Sequence, residues 1–370
     1  MYIRTPDIET DSPEVYNDLW CQKLDQYAII YHSQFYNTLL SKSIRRLIKE
    51  IGVDKIKVVF SDEVYKNNPD SNKKETKNFG VFDSVNKKII IPRIIEKYGK
   101  DDTPETYGQR YGDAYSKFKS DIDSYGVNMP ATFAHEIRHF WQNRKGIEIE
   151  LTKDSIRAWI IKDRVMEADA TAFSALATWE LKKESNLSVY FDARKESSSS
   201  DIFKAFEREI SNGTMQATKS AFKEWYEYSG ADKANLNNEG KKEVNKKNIW
   251  LSDLRKDYYE ENMVKFLKQN QPQKDKFNFS KDVDVSVFLK NFLIEDCIYI
   301  EDLSTFIQTD KNVGLRKSTI NYISNNFPKT FNDFDKENPK HIPERENGYD
   351  RILEIAPKKN FFDIKKLRSR

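Results

Sequence analysis

The chain has 370 residues, with 62 Lys and Arg against 59 Asp and Glu and a formal net charge of +3. Basic residues are mixed with acids almost everywhere and no long basic stripe appears, which argues against a nucleic-acid partner. Its two cysteines, Cys21 and Cys297, stand far apart without CxxC spacing, so neither a disulfide framework nor a thiolate metal site is expected.

The N-terminus, MYIRTPDIETDSPEVY, has acids and prolines where a signal peptide needs an apolar run. No apolar stretch approaches the length of a membrane span. The expectation is a soluble, cytoplasmic protein, with export by a signal-independent route as the alternative. Residues 1–34 read as a helical extension within a helical stretch over 15–51, in which Leu39, Leu40, Ile44, Leu47 and Ile51 share a side and Gly52 ends the run. A strand follows over Lys55 to Phe60. Two apolar runs, Gly80 to Phe82 and Lys88 to Ile91, flank a polar turn and predict a hairpin that stops at Pro92. Residues 104–124 read as an amphipathic helix with Tyr107, Tyr111, Tyr115 and Phe118 along one stripe.

The next segment, PATFAHEIRHFWQNRKG, carries two of the four histidines. Asn128 is the expected N-cap, Pro130 suits a first turn, and Gly146 falls just past the end. At about 100° per residue, Phe133, Ile137, Phe140 and Trp141 form a core face, with His135 and His139 together on the opposite side. Glu136 lies on the flank nearer the histidines. Two imidazoles one turn apart can reach one tetrahedral Zn²⁺, and a neighbouring carboxylate can reach water there instead of the metal. A carboxylate-bridged di-iron site needs a second ExxH. Neither His32 nor His341 has a glutamate three residues before it, which excludes that reading.

Zinc needs a third protein ligand. In the HExxHxxGxxH pattern it is a histidine, but Lys145 occupies that position and Gln142 stands in place of the glycine. His341 sits in a proline-flanked polar loop and is a weak candidate. An acid on the following helix, about Asp154 to Lys183, remains. Glu167 shares its face with Asp163, Ala170, Thr171 and Ser174, three of which are small enough for close helix approach. Asp169 points nearly the other way. Glu167 is the expected ligand; Asp163, one turn earlier, either takes its place or orients a histidine.

These residues resemble the zincin metallopeptidases with a glutamate ligand, the gluzincins. HEIRH matches their HExxH at His135, Glu136 and His139. The segment EADATAF, starting at Glu167, is similar to an E-x-D-A segment of uncharacterised bacterial metallopeptidases. The resemblance covers roughly residues 35–182 and implies an α+β fold: a small mixed sheet, an active-site helix and a Glu helix. It also implies an edge strand that binds substrate backbone, either Lys87 to Ile91 or Gly80 to Phe82. Thermolysin-like enzymes carry an Asp four residues after the ligand Glu; here that position is Thr171, a departure from close kinship.

Residues 35–184 are thus expected to form a zincin-like domain and 185–370 a mainly helical region. That region has helices over 201–211, 216–227, 249–269, 284–308 and 315–325, separated by polar loops at 195–201, 229–248, 269–282 and 338–350. The expected function is zinc-dependent peptide hydrolysis with Glu136 as general base, acting on a protein or peptide substrate. Two alternatives stand beside it. One is a non-catalytic zincin-fold protein, or a delivered bacterial effector or toxin, whose helical half binds a partner. The other is a DNA-associated protease, against which the even charge and the missing third histidine count.

Overall fold

The structure is a computed structural model that describes residues 37–61, 80–92, 114–195, 199–227, 251–292, 300–327, 334 and 341–345. The N-terminal extension, residues 104–113 of the tyrosine-striped segment and the 229–248 connector lie outside the described residues; residues 114–124 are helical, as expected. In chain order come α1 (Lys42–Ile51), β1 (Lys57–Ser61), β2 (Val81–Asp83), β3 (Lys88–Pro92), α2 (Ala114–Arg144), α3 (Ile156–Glu184), α4 (Ser188–Lys195), α5 (Ser200–Glu209), α6 (Thr214–Tyr226) and α7 (Leu251–Asn270). They are followed by α8 (Val285–Lys290), α9 (Ile300–Ile307), α10 (Asp310–Val313), β4 (Leu315–Arg316), α11 (Lys317–Asn326) and β5 (Glu344–Arg345). The described chain is mostly helical with a small sheet, an α+β arrangement. None of its helices is long and apolar enough to cross a membrane.

Two compact units divide the chain: Met1–Arg144 with Ala172–Phe203 and Asn360–Arg370, and Lys145–Thr171 with Lys204–Lys359. In the first unit the sheet runs β1-β3-β2, with β1 parallel and β2 antiparallel to β3. The predicted hairpin is therefore present, with Phe82 opposite Ile89. Since β3 is the middle strand, Lys87 to Ile91 cannot serve as the substrate-binding edge that the resemblance allowed; β2 is an edge strand among the described residues. The isoleucines of β3 are buried with Phe133, Ile137 and Phe140 of α2, and the Phe82 and Phe140 rings lie 5.0 Å apart.

Ser41 caps α1 by accepting from the Ile44 N–H, and Gly52 ends the helix at φ 90°. The Glu180 carboxylate of α3 sits at the same N-terminus. It accepts from the Ser41 and Ser43 hydroxyls, both at 2.6 Å, and from the Ser43 N–H, the favourable end of the helix dipole for an anion. The Trp141 indole N–H donates to Glu50 at 2.7 Å and ties α2 to α1.

The predicted start of the HEIRH helix is wrong. Helix α2 runs unbroken from Ala114, with Pro130 in its interior, and Asn128 is a mid-helix residue whose side-chain oxygen accepts from Arg194. Proline costs an interior helix one ladder bond, but Met129, Ala131 and Phe133 around it are all buried. Tertiary packing of that turn outweighs the local signal for a helix start.

In the second unit, Ile156, Trp159 and Ile160 of α3 pack with Met263 and Leu267 of α7, Phe277, Phe279, Leu315, Ile323, Phe327 and Ile342. Beside this core lies a buried ionic network. Arg345 donates to Asp257 at 2.5 Å and to Glu260 at 2.8 Å, and Arg316 donates to Glu260 at 3.0 Å. Asp154 and Lys162 form a second buried pair at 2.7 Å. Three departures from the sequence expectations fall outside the three-stranded sheet: α4 falls in a stretch with no assigned element, the helix expected over 284–308 leaves helical form at 291–292 between α8 and α9, with residues 293–299 outside the described residues, and Leu315 and Arg316 pair in parallel with Glu344 and Arg345.

Candidate metal centre

Each residue of the expected site is carried on one of two long helices. His135, Glu136 and His139 occupy successive turns of α2, opposite a face on which Phe133, Ile137, Phe140 and Trp141 are buried. The histidines themselves are half-buried. Their Nε2 atoms lie 3.0 Å apart, with the rings nearly perpendicular at 82°. Two nitrogen ligands of one tetrahedral Zn²⁺, each about 2.0–2.1 Å from the metal, stand about 3.3 Å from one another. The observed spacing is close to that value.

The partner of His139 at its other nitrogen is Gln142, fully buried one turn on, whose Oε1 lies 2.8 Å from Nδ1. An amide oxygen only accepts, so Nδ1 carries the proton and Nε2 holds the lone pair that a metal needs. Across the 3.0 Å contact, His135 Nε2–H then donates to His139 Nε2.

Glu167 sits on α3. The ligand atoms of His135, His139 and Glu167 all lie within 4.8 Å of one another, the one such His/Cys/Asp/Glu group among the described residues. A His₂Glu donor set is a recognised catalytic zinc type, with a fourth position left to water. The residues present therefore fit a metal ion. Asp163 and Asp169 are outside the group. Burial holds the phenols of Tyr226 and Tyr259 above their usual range; the Glu167 carboxylate adds to this for Tyr259, and the Asp163 charge adds a smaller push to both.

Glu136 is only 8% exposed, and its Oε2 accepts the Phe82 N–H of β2 at 2.7 Å. This N–H is spent on α2 rather than on β3, so the β2 side of the sheet meets the carboxylate of the metal helix. Gly80 makes that approach feasible. A Cβ there would lie 2.7 Å from Thr132 Cγ2 and 3.3 Å from Glu136 Cγ. On the α3 side, the Ser174 hydroxyl donates to the Ala131 carbonyl of α2 at 2.8 Å, and Ala172 and Ala175 nearby are buried. Of the small residues expected to let α3 approach α2, Ser174 makes direct contact with it.

Three contributors escaped the sequence reading. Gln142 lies three residues after His139 on the same helix face, a spacing that would have marked it. The Phe82 N–H is backbone and leaves no residue-type signal. The third is Tyr259 of α7, whose hydroxyl donates to Glu167 Oε2 at 2.5 Å from 92 positions further along the chain. Nothing in the local pattern of DYYEEN distinguishes it from an ordinary helix tyrosine.

Residues 123–275 match the model of a family described as "Putative metallopeptidase family (DUF6782)". The match spans HEIRH, Glu167 and Tyr259 but less than half of the chain, and its description names neither a metal nor a motif. No curated protein and no solved structure matches the chain.

Proposed function

We propose that this chain is a zinc-dependent metallopeptidase in which His135, His139 and Glu167 hold the metal and Glu136 is the general base. The observation that carries the reading is the grouping of those three ligand atoms within 4.8 Å of one another, with the Glu136 carboxylate next to His135 in the chain. The family match to a metallopeptidase description supports it independently. A bound Zn²⁺ would supply Lewis acidity, lowering the pKa of water toward about 7 and polarising a peptide carbonyl.

The chain's own residues divide the remaining work. Gln142 keeps the proton of His139 on Nδ1, so that Nε2 stays a ligand. Glu136, oriented through Oε2 by Phe82, takes a proton from the attacking water and delivers it to the leaving amine.

The test is a peptide-library digest run with and without chelator, alongside metal analysis of the purified full chain. The proposal expects about one zinc per chain and cleavage that stops on chelation and returns with Zn²⁺. Bound metal without any cleavage would favour the rival reading, a non-catalytic protein with a structural zinc. No bound metal would refute the proposal.

A further inference from the structure

The metal-centre reading leaves unexplained how Glu167 is held. A glutamate has three side-chain torsions, and a ligand that samples several rotamers binds a metal weakly. Glu167 is half-buried on a helix face lined by small residues, which permit close approach but do not grip a side chain.

We propose that Tyr259 is the positioning residue for Glu167, which makes α7 a working part of the metal centre. The phenol-to-carboxylate bond, 2.5 Å long, lies at the short end of charge-assisted O–H···O⁻ bonds, about 2.5–2.7 Å. Fixing one carboxylate oxygen fixes the plane of the group and so the direction of the other. The phenol is itself immobilised. Its ring packs against Trp225, at 5.9 Å and 41°, and against Tyr258, at 5.1 Å and 86°. Helix α7 is pinned on both sides of Tyr259. Arg255 donates to the carbonyls of Trp225 and Glu224, and the flanking Asp257 and Glu260 are bound by Arg345 and Arg316. The direction of the ligand oxygen is therefore set by a rigid chain of contacts that ends in the ionic network of the second unit. Simple satisfaction of a half-buried carboxylate would need only water or a surface lysine, not a tyrosine whose ring packs against Trp225 and whose helix is tied down on both sides.

The inference rests on the metal-centre reading, and one experiment separates the two. Zn²⁺ affinity is measured for the full chain by competition with a chromophoric chelator, and the Co²⁺-loaded protein is examined by visible absorption. Tyr259→Phe keeps the ring and its packing and removes only the hydroxyl. Its expected Zn²⁺ affinity is roughly 10–100-fold lower, with an altered Co²⁺ spectrum. In a Glu167→Ala background the same substitution should leave the remaining affinity unchanged, because the phenol acts only through Glu167. A loss of less than about tenfold with an unchanged Co²⁺ spectrum overturns the inference, as does an equal loss in both backgrounds. Either result leaves the metal centre standing. A wild-type chain that binds no Zn²⁺ overturns both.

Discussion

The N–H of Phe82 donates to Oε2 of Glu136 at 2.7 Å, joining strand β2 to the carboxylate proposed as general base. The approach depends on position 80, where any side chain meets Thr132 and Glu136 of the helix. Gly80→Ala should therefore displace β2 and turn Glu136 away from its working direction. A displacement near 1 Å costs about 10²-fold in rate. The expected outcome is a loss of kcat on that order with zinc content unchanged, read from steady-state kinetics and metal analysis of the same preparation.

Gln142 offers a second, separable prediction. Its buried amide oxygen is the acceptor that keeps the His139 proton on Nδ1. Gln142→Leu keeps the bulk and removes the acceptor, and should weaken Zn²⁺ binding by roughly 10–100-fold. Gln142→Glu, which retains an acceptor, should restore most of that loss. A chelator-competition titration of the three proteins checks both statements.

The second unit carries an acid-sensitive element. Burial pushes the Glu260 carboxyl up, but the guanidiniums of Arg345 and Arg316 outweigh it and hold its pKa below the usual 4.5. As pH falls, the unfolded chain takes up this proton before the folded one does. The stability due to Glu260 is thus complete above about pH 4.5 and is lost as pH drops through its lower folded-state value. Burial drives the neighbouring Asp257 the other way, so the comparison must be with Glu260→Gln. That variant should be less stable at pH 7 by about 1–3 kcal/mol and should show a shallower loss of stability below pH 4.5, both read from denaturant titrations across pH.

The buried pair of Asp154 and Lys162 supports the start of α3. Burial raises the Asp154 carboxyl and the ammonium of Lys162 partly offsets it. Removing one partner leaves a charge without its counter-ion inside the protein, at a cost of about 3–5 kcal/mol. Lys162→Met should lower the melting temperature markedly, whereas replacing both partners with apolar residues of similar size should recover much of the loss. Thermal unfolding of the single and double variants decides this.

The parts of the site that were legible in the sequence share one property: each is local to a helix. Helical periodicity alone separated His135 and His139 from the core face of Phe133, Ile137, Phe140 and Trp141. The small residues at 170, 171 and 174 marked the side of α3 that could approach another helix closely. What periodicity could not supply is anything decided by tertiary contact. Asn128 and Pro130 form a sound local start signal, yet the buried turn around them continues the helix. Strands β4 and β5 are two residues each, too short for an alternating pattern to register. Tyr259 reaches Glu167 only because the second unit folds residues 145–171 together with α7, a relation that no spacing rule encodes.

The central claim is that Glu136 performs proton transfer at a metal held by its neighbours, and Glu136→Gln tests it most directly. Glutamine preserves the acceptor for the Phe82 N–H and leaves His135, His139 and Glu167 untouched. Zinc content and peptide hydrolysis should be measured together on this variant and on the wild type. The account predicts about one zinc per chain in both proteins, with cleavage in the wild type and a loss of roughly 10²-fold or more in the variant. Full peptidase activity in Glu136→Gln would contradict it.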